Sequence, residues 1–229
     1  MTGALFKPRQ IVSDARVTRR FLNGHRKFLA KYFEEREYLQ QHARDGQFPK
    51  ALYIGCSDSR VIPEYLTSSG FGELFVLRNV ANFVPTLDHP DASVGAAIDY
   101  AVDYLEVPDI IVCGHLGCGG VKAVLDGIDG LREGTPSLHE WLQGIEDSAA
   151  IARESGATGE SLWETAVREN VLSALGNLIT YDSVRRRLEA GKLHIHGWVY
   201  DIHSSSISVY DPTDDRWTDA AALRNSVIA

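Results

Sequence analysis

Five short apolar runs punctuate this 229-residue chain, each bounded by polar or glycine-containing turns. Ala51-Leu52-Tyr53-Ile54-Gly55, Leu74-Phe75-Val76-Leu77 and Asp109-Ile110-Ile111-Val112-Cys113-Gly114 are nearly continuous, the pattern of strands buried on both faces. Residues 193–202 and 206–210 read as two further strands, joined as a hairpin by the polar turn around Ser204 and Ser205. Between the strands the period becomes helical. Residues 92–106 carry Val94, Ala97, Ile98, Ala101, Val102 and Leu105 on one face. Ser137 with Glu140, and Ser161 with Glu164, have capping-box spacing and predict two helix starts. Residues 182–190 predict a basic helix stopped by Gly191. Upstream, residues 17–43 set Phe21, Phe28, Leu29, Tyr32 and Phe33 at helical spacing. That is more aromatic surface than one helix hides alone, and a partner subunit would cover it.

Strand and helix alternate, which predicts an α/β fold with a mostly parallel sheet flanked by helices. No linker composition interrupts the chain. The expectation is one domain over residues 1–229, with an N-terminal helical arm at 1–45 and an α/β core at 46–229.

Composition narrows the function. Apolar residues make up 44% and charged residues 24%, both ordinary for a globular protein. A net charge of −8 argues against a nucleic-acid or anionic-membrane surface, while leaving room for a small anionic substrate. No apolar run approaches the roughly twenty residues that span a bilayer. Residues 1–20 hold no signal-peptide core, and three cysteines fit a reducing compartment. The expected location is the cytoplasm, with an organelle or microcompartment as the alternative.

The chemistry concentrates at two strand ends. Cys56-Ser57-Asp58-Ser59-Arg60 follows the first strand, and His115-Leu116-Gly117-Cys118-Gly119-Gly120 follows the third. Ligands of open α/β sheets bind beyond the C-terminal strand ends, where strand order reverses. If those strands are neighbours, Cys56, His115 and Cys118 converge. Two thiolates and an imidazole suit zinc with one coordination position open. They also neutralise the ion, so the metal is a weaker Lewis acid than one held by three histidines. Asp58 can then orient an attacking water, and Arg60 can hold Asp58 ionised. The Gly119-Gly120 pair opens a short helix whose N-terminus would favour a thiolate at Cys118. Taken singly, each piece has a plainer reading: a Cys at a strand end is often just a small buried apolar residue. Cys113, inside the third strand, is assigned that role, and His196 a structural one.

Together the motifs resemble a β-class carbonic anhydrase from about Phe21 to Tyr210. The resemblance is carried by Cys-Ser-Asp-Ser-Arg at 56–60, Gly72-Glu73-Leu74-Phe75, Arg78-Asn79-Val80-Ala81-Asn82, Gly114-His115 with Cys118-Gly119-Gly120, and His196-Gly197-Trp198-Val199-Tyr200-Asp201. It implies one zinc per subunit on Cys56, His115 and Cys118, with Asp58 and Arg60 as the catalytic dyad. It implies reversible hydration of carbon dioxide to bicarbonate and a proton, with zinc-hydroxide as the attacking group. It further implies a sheet of order 2-1-3-4 with a fifth, edge strand, and a homodimer or higher even-numbered oligomer embraced by the N-terminal helix. The plant-like form of the family has a glutamine nine residues before the first zinc cysteine, matched here by Gln47. Its substrate pocket is matched by Phe75, Val80, Tyr100 and Gly119. The other form builds a bicarbonate site from a tryptophan, an arginine and a tyrosine; Arg78 and Tyr200 match, but Tyr53 stands at the tryptophan position. The open, plant-like form is therefore expected, with Asp58 paired to Arg60. Leu116 departs from the Ser or Thr common at its position.

Three rivals remain at this level: a hydrolase of carbonyl sulfide or carbon disulfide on the same scaffold, a non-catalytic zinc or bicarbonate-binding module, and a redox protein using Cys56 and Cys118. Cys113 is the only spare cysteine for a structural zinc site. Asp58 would raise a neighbouring thiol pKa, against the redox reading.

Overall fold

The computed structural model describes residues 15–31 and 36–223. The chain divides into two compact units, Met1–Gln47 and Phe48–Ala229. In the first, the single helix expected over 17–43 is instead two, α1 (Ala15–Lys31) and α2 (Arg36–Asp45). Phe21 and Leu29 are exposed on α1, while Tyr32 and Phe33 lie outside the described residues.

The second unit is built on a six-stranded sheet of order β2-β1-β3-β4-β5-β6. The strands are β1 (Ala51–Cys56), β2 (Leu74–Asn79), β3 (Asp109–His115), β4 (His194–Tyr200), β5 (Ile207–Asp211) and β6 (Arg216–Asp219). The first four run parallel, and β5 and β6 are antiparallel additions. The order matches the expectation through β5. The sheet then continues one strand further, because Asp211 to Asp219 folds back as a second hairpin. Arg216-Trp217-Thr218-Asp219 is too short and too polar to read as a strand from its pattern alone.

Side-chain alternation along the strands makes two cores. Leu52 and Ile54 of β1, and Ile110 and Val112 of β3, enter the larger one. It is closed by α4 (Ala92–Asp99), α5 (Gly119–Asp126), α9 (Gly159–Leu178) and α10 (Asp182–Glu189). Ala51, Tyr53, Ile111, Cys113 and Tyr200 form the smaller core on the other face, with Leu66 of α3 (Pro63–Thr67) packed against it. Helix α9 lies very close to the sheet: a Cβ on Gly114 would sit 2.7 Å from Val171 Cγ2, and one on Gly197 3.1 Å from Val171 Cγ1.

Gly191 does end α10, at φ +63°. The two capping boxes do not form. Helix α7 (Pro136–Gln143) starts with Pro136 in its first turn and Thr135 at its N-cap, and α9 follows Thr158; neither N-cap side chain makes a capping bond. Proline pre-set for the first turn, and Gly159 at φ +59°, move each start ahead of its serine. Residues 92–106 also divide, with a π-helical turn at Tyr100–Tyr104 after α4.

Candidate active site

Strand register brings the two halves of the cluster together. β1 is hydrogen-bonded between β2 and β3, so the C-terminal ends of β1 and β3 adjoin where the chain order reverses. Cys56 ends β1, His115 ends β3, and Cys118 is the N-cap of α5. All three are buried, and their ligand atoms lie within 4.8 Å of one another. The Cys56 and Cys118 sulfurs are 4.0 Å apart.

His115 is fully buried, and its Nδ1 lies 3.1 Å from the Leu116 carbonyl. With Nδ1–H donating there, Nε2 carries the lone pair, and Nε2 has no hydrogen-bond partner. A buried, unpaired imidazole nitrogen aimed between two thiols is a costly arrangement unless a cation completes it. The residues fit zinc.

Between the two sulfurs, protons are unequally held. The bond between the two sulfurs, together with the main-chain N–H groups of Asp58 and Ala81, pulls the Cys56 pKa down. Cys118 is pushed up by Cys56 and by burial. The N–H groups of Val121 and Gly120, at the start of α5, draw Cys118 down as the sequence implied, but the neighbouring sulfur outweighs them. A divalent cation removes the conflict, because a coordinating thiol is deprotonated outright.

Asp58 and Arg60 stand beside this trio. Arg60 donates from Nε to Oδ1 at 2.9 Å and from a terminal nitrogen to Oδ2 at 2.7 Å, and its main-chain N–H also reaches Oδ1 at 2.9 Å. These bonds hold the Asp58 carboxyl well below the usual carboxylate range. Asp58 Oδ2 is 3.9 Å from His115 Nε2.

The carbonic anhydrase family model matches residues 51–207, the stretch that contains all of these residues. The chain belongs to the β-carbonic anhydrases. It is 40% identical to a carbonic anhydrase of Synechocystis, over 84% of this chain and 70% of that protein. It is also 40% identical to a carbonic anhydrase of Pseudomonas aeruginosa, over 89% of this chain and 92% of the relative. Among solved structures, the β-carbonic anhydrase CcaA superposes with a TM-score of 0.84 at 38% identity, covering 88% of this chain and 91% of the other. A tetrameric β-carbonic anhydrase of Sordaria macrospora superposes at 0.75 with 29% identity, over 84% and 96% of the two chains. The enzyme is thus a zinc-dependent lyase that reversibly hydrates carbon dioxide.

The remaining pocket residues are more dispersed. Gly119, at the start of α5, is exposed with open space beside its Cα. Val80 is partly exposed in the turn after β2. Phe75 and Tyr100 lie against each other, with ring centroids 5.7 Å apart. Phe75 pairs with Leu52, whereas Cys56 pairs with Asn79. Four residues of strand therefore separate Phe75 from the level of the trio, about 13 Å at a rise of about 3.3 Å per residue. Within one chain, the structure does not bring this aromatic pair to the metal position. Gln47 is the last residue of the first unit.

Several supporting residues were not assigned their roles from sequence. Arg78 donates to the carbonyls of Cys56 at 2.9 Å and Asp58 at 2.6 Å. Trp163 Nε1 donates to the Cys118 carbonyl at 3.0 Å, Trp141 Nε1 to that of Val80 at 2.8 Å, and Asn170 to that of Ala81 at 2.8 Å. Ala81 and Asn82 are both left-handed, at φ +61° and +45°. That strained turn, pinned from α9, is what aims the Ala81 N–H at Cys56. The only prior signal was the Arg78-to-Asn82 motif, which carried no geometry. Tyr53 and Cys113 are fully buried in the smaller core, as assigned for Cys113, and burial pushes the Cys113 thiol up to about 12.

Proposed function

We propose that Cys56, His115 and Cys118 hold the zinc, and that Asp58 and Arg60 are its catalytic dyad in an open, plant-like site. The unpaired Nε2 of His115, buried between two thiols, carries this reading. Bound zinc supplies Lewis acidity that makes water a nucleophile near neutral pH. Asp58 accepts a hydrogen bond from the attacking water and fixes its lone pair. Arg60 keeps Asp58 charged and engages both of its carboxylate oxygens, so that a zinc held by the trio would be open to water or substrate. Three bonds from Arg60 to Asp58 support that form. Gly119 and Val80 offer backbone and apolar surface to a small uncharged gas molecule.

Phe75 and Tyr100 line the pocket of a second copy rather than their own. Their distance along β2 from Cys56, and the exposure of Tyr100 and Tyr104 beside them, support this. The working unit is accordingly a homodimer or higher even-numbered oligomer. Among the described residues no helix is long and apolar enough to cross a membrane.

Stopped-flow hydration of carbon dioxide, with zinc counted on the same sample, tests the reading. Turnover proportional to zinc occupancy is expected. Faster turnover of carbonyl sulfide than of carbon dioxide would favour the rival substrate class. Full activity in a dilute monomer would remove Phe75 and Tyr100 from the pocket.

A further inference from the structure

The opposite end of the sheet carries two imidazoles and a carboxylate near one another, away from the Cys56–His115–Cys118 trio. His194 and His196 stand two residues apart at the start of β4, on one face of the strand. Asp109 opens β3 and is in register with His194. His196 Nε2 is 2.8 Å from Asp109 Oδ1, and His194 Nδ1 is 3.8 Å from the same oxygen. The imidazole centroids are 6.5 Å apart. Side-chain exposure is 68% for His194, 40% for His196 and 37% for Asp109, so all three meet solvent. We propose that His194, His196 and Asp109 form a second site for a divalent transition metal, separate from the catalytic zinc.

Two imidazole nitrogens and a carboxylate oxygen are a borderline donor set, suited to Zn²⁺, Co²⁺ or Ni²⁺ with positions left for water. The backbone is already arranged. Parallel pairing of β3 and β4 fixes the three Cα positions, and His196 is oriented by its bond to Asp109. Metal binding replaces the proton shared in that bond. His194, the most exposed of the three, turns inward to close its gap to the shared oxygen. The site holds no thiolate, so it binds more weakly than the Cys56–His115–Cys118 trio and fills when metal is in excess. Asp109 and His115 are six residues apart on β3, about 20 Å at the strand rise, so the two sites do not share ligands.

Equilibrium dialysis of the zinc-loaded enzyme against excess zinc, followed by metal counting, tests this. Wild type should hold one zinc equivalent beyond the catalytic one. His194→Ala and Asp109→Asn should lose that equivalent and keep carbon dioxide hydration. Cobalt added to the zinc-loaded enzyme should give weak visible bands of nitrogen and oxygen coordination. A wild-type chain that takes up no extra metal overturns the proposal, as does a His194→Ala variant that still takes it up. A thiolate charge-transfer band from the added cobalt would place it at the cysteines and equally overturn it.

Discussion

The Arg78 guanidinium donates to the main-chain carbonyl of Asp58 at 2.6 Å, tying the loop that carries the carboxylate to β2. The same side chain holds the Cys56 carbonyl. One residue of β2 therefore sets the spacing between a metal ligand and the dyad. Arg78→Ala should lower turnover by about 10–100-fold, the usual range for losing a partner that orients a metal site. Zinc content should fall less than turnover. Metal analysis beside stopped-flow rates reads the difference, and equal losses would assign Arg78 to metal retention instead.

Arg60 sets how far into acid Asp58 stays charged. It holds Asp58 below its ordinary value of about 3.9, so the carboxylate stays charged through the neutral range. The stability from this depressed pKa is present above the unfolded value and is lost as pH falls through the lower folded value. It is small, because the Arg60 side chain is largely exposed. Removing Arg60 returns Asp58 toward the ordinary range. The acid limb of the kcat profile of Arg60→Ala should therefore move to higher pH, and an unmoved limb would assign it to another group.

The ligands and the dyad should separate cleanly by mutation. Cys56→Ala should lose zinc and activity together. Asp58→Ala should keep zinc and lose turnover by about 10–100-fold. A zinc-loaded Cys56→Ala enzyme would refute the ligand assignment, and an undiminished Asp58→Ala rate would refute the dyad.

Metal retention should weaken with acid, because zinc needs both thiols deprotonated and its binding releases protons. Chelation at neutral pH should abolish activity while far-ultraviolet circular dichroism persists. The sheet and its helices are held by the apolar cores on both faces, and the trio sits at one end of them. Loss of secondary structure on chelation would make the zinc a folding element.

Gly114 is a packing position with a functional neighbour. A Cβ there would meet Val171 at 2.7 Å and Val167 at 3.3 Å. Gly114→Ala should cost about 1–3 kcal/mol, the range for overpacked cores, and shift His115 with the strand. Thermal unfolding checks the first effect and zinc affinity the second.

The parallel strands and the ligand trio were legible in the sequence because both depend on local signals. Continuous apolar runs mark strands buried on both faces, and thiol and imidazole donors at strand ends announce their chemistry wherever they converge. The helix starts were less legible. Ser137 and Ser161 have the right spacing, yet Pro136 and Gly159 set the backbone first. Strand β6 was invisible because a four-residue polar segment forms a strand only when a neighbour, here β5, offers its edge.

Which atoms can bind a metal, and which strands carry them, was already written in the residues, since donor chemistry and hydrophobic period are properties of residues. What holds those atoms still emerges from the packed fold: Arg78 on two carbonyls, the left-handed Ala81 aimed at Cys56, and Trp163 on Cys118. It also placed Phe75 four residues of β2 from the level of Cys56, because register is a relation between strands that no single run of residues contains.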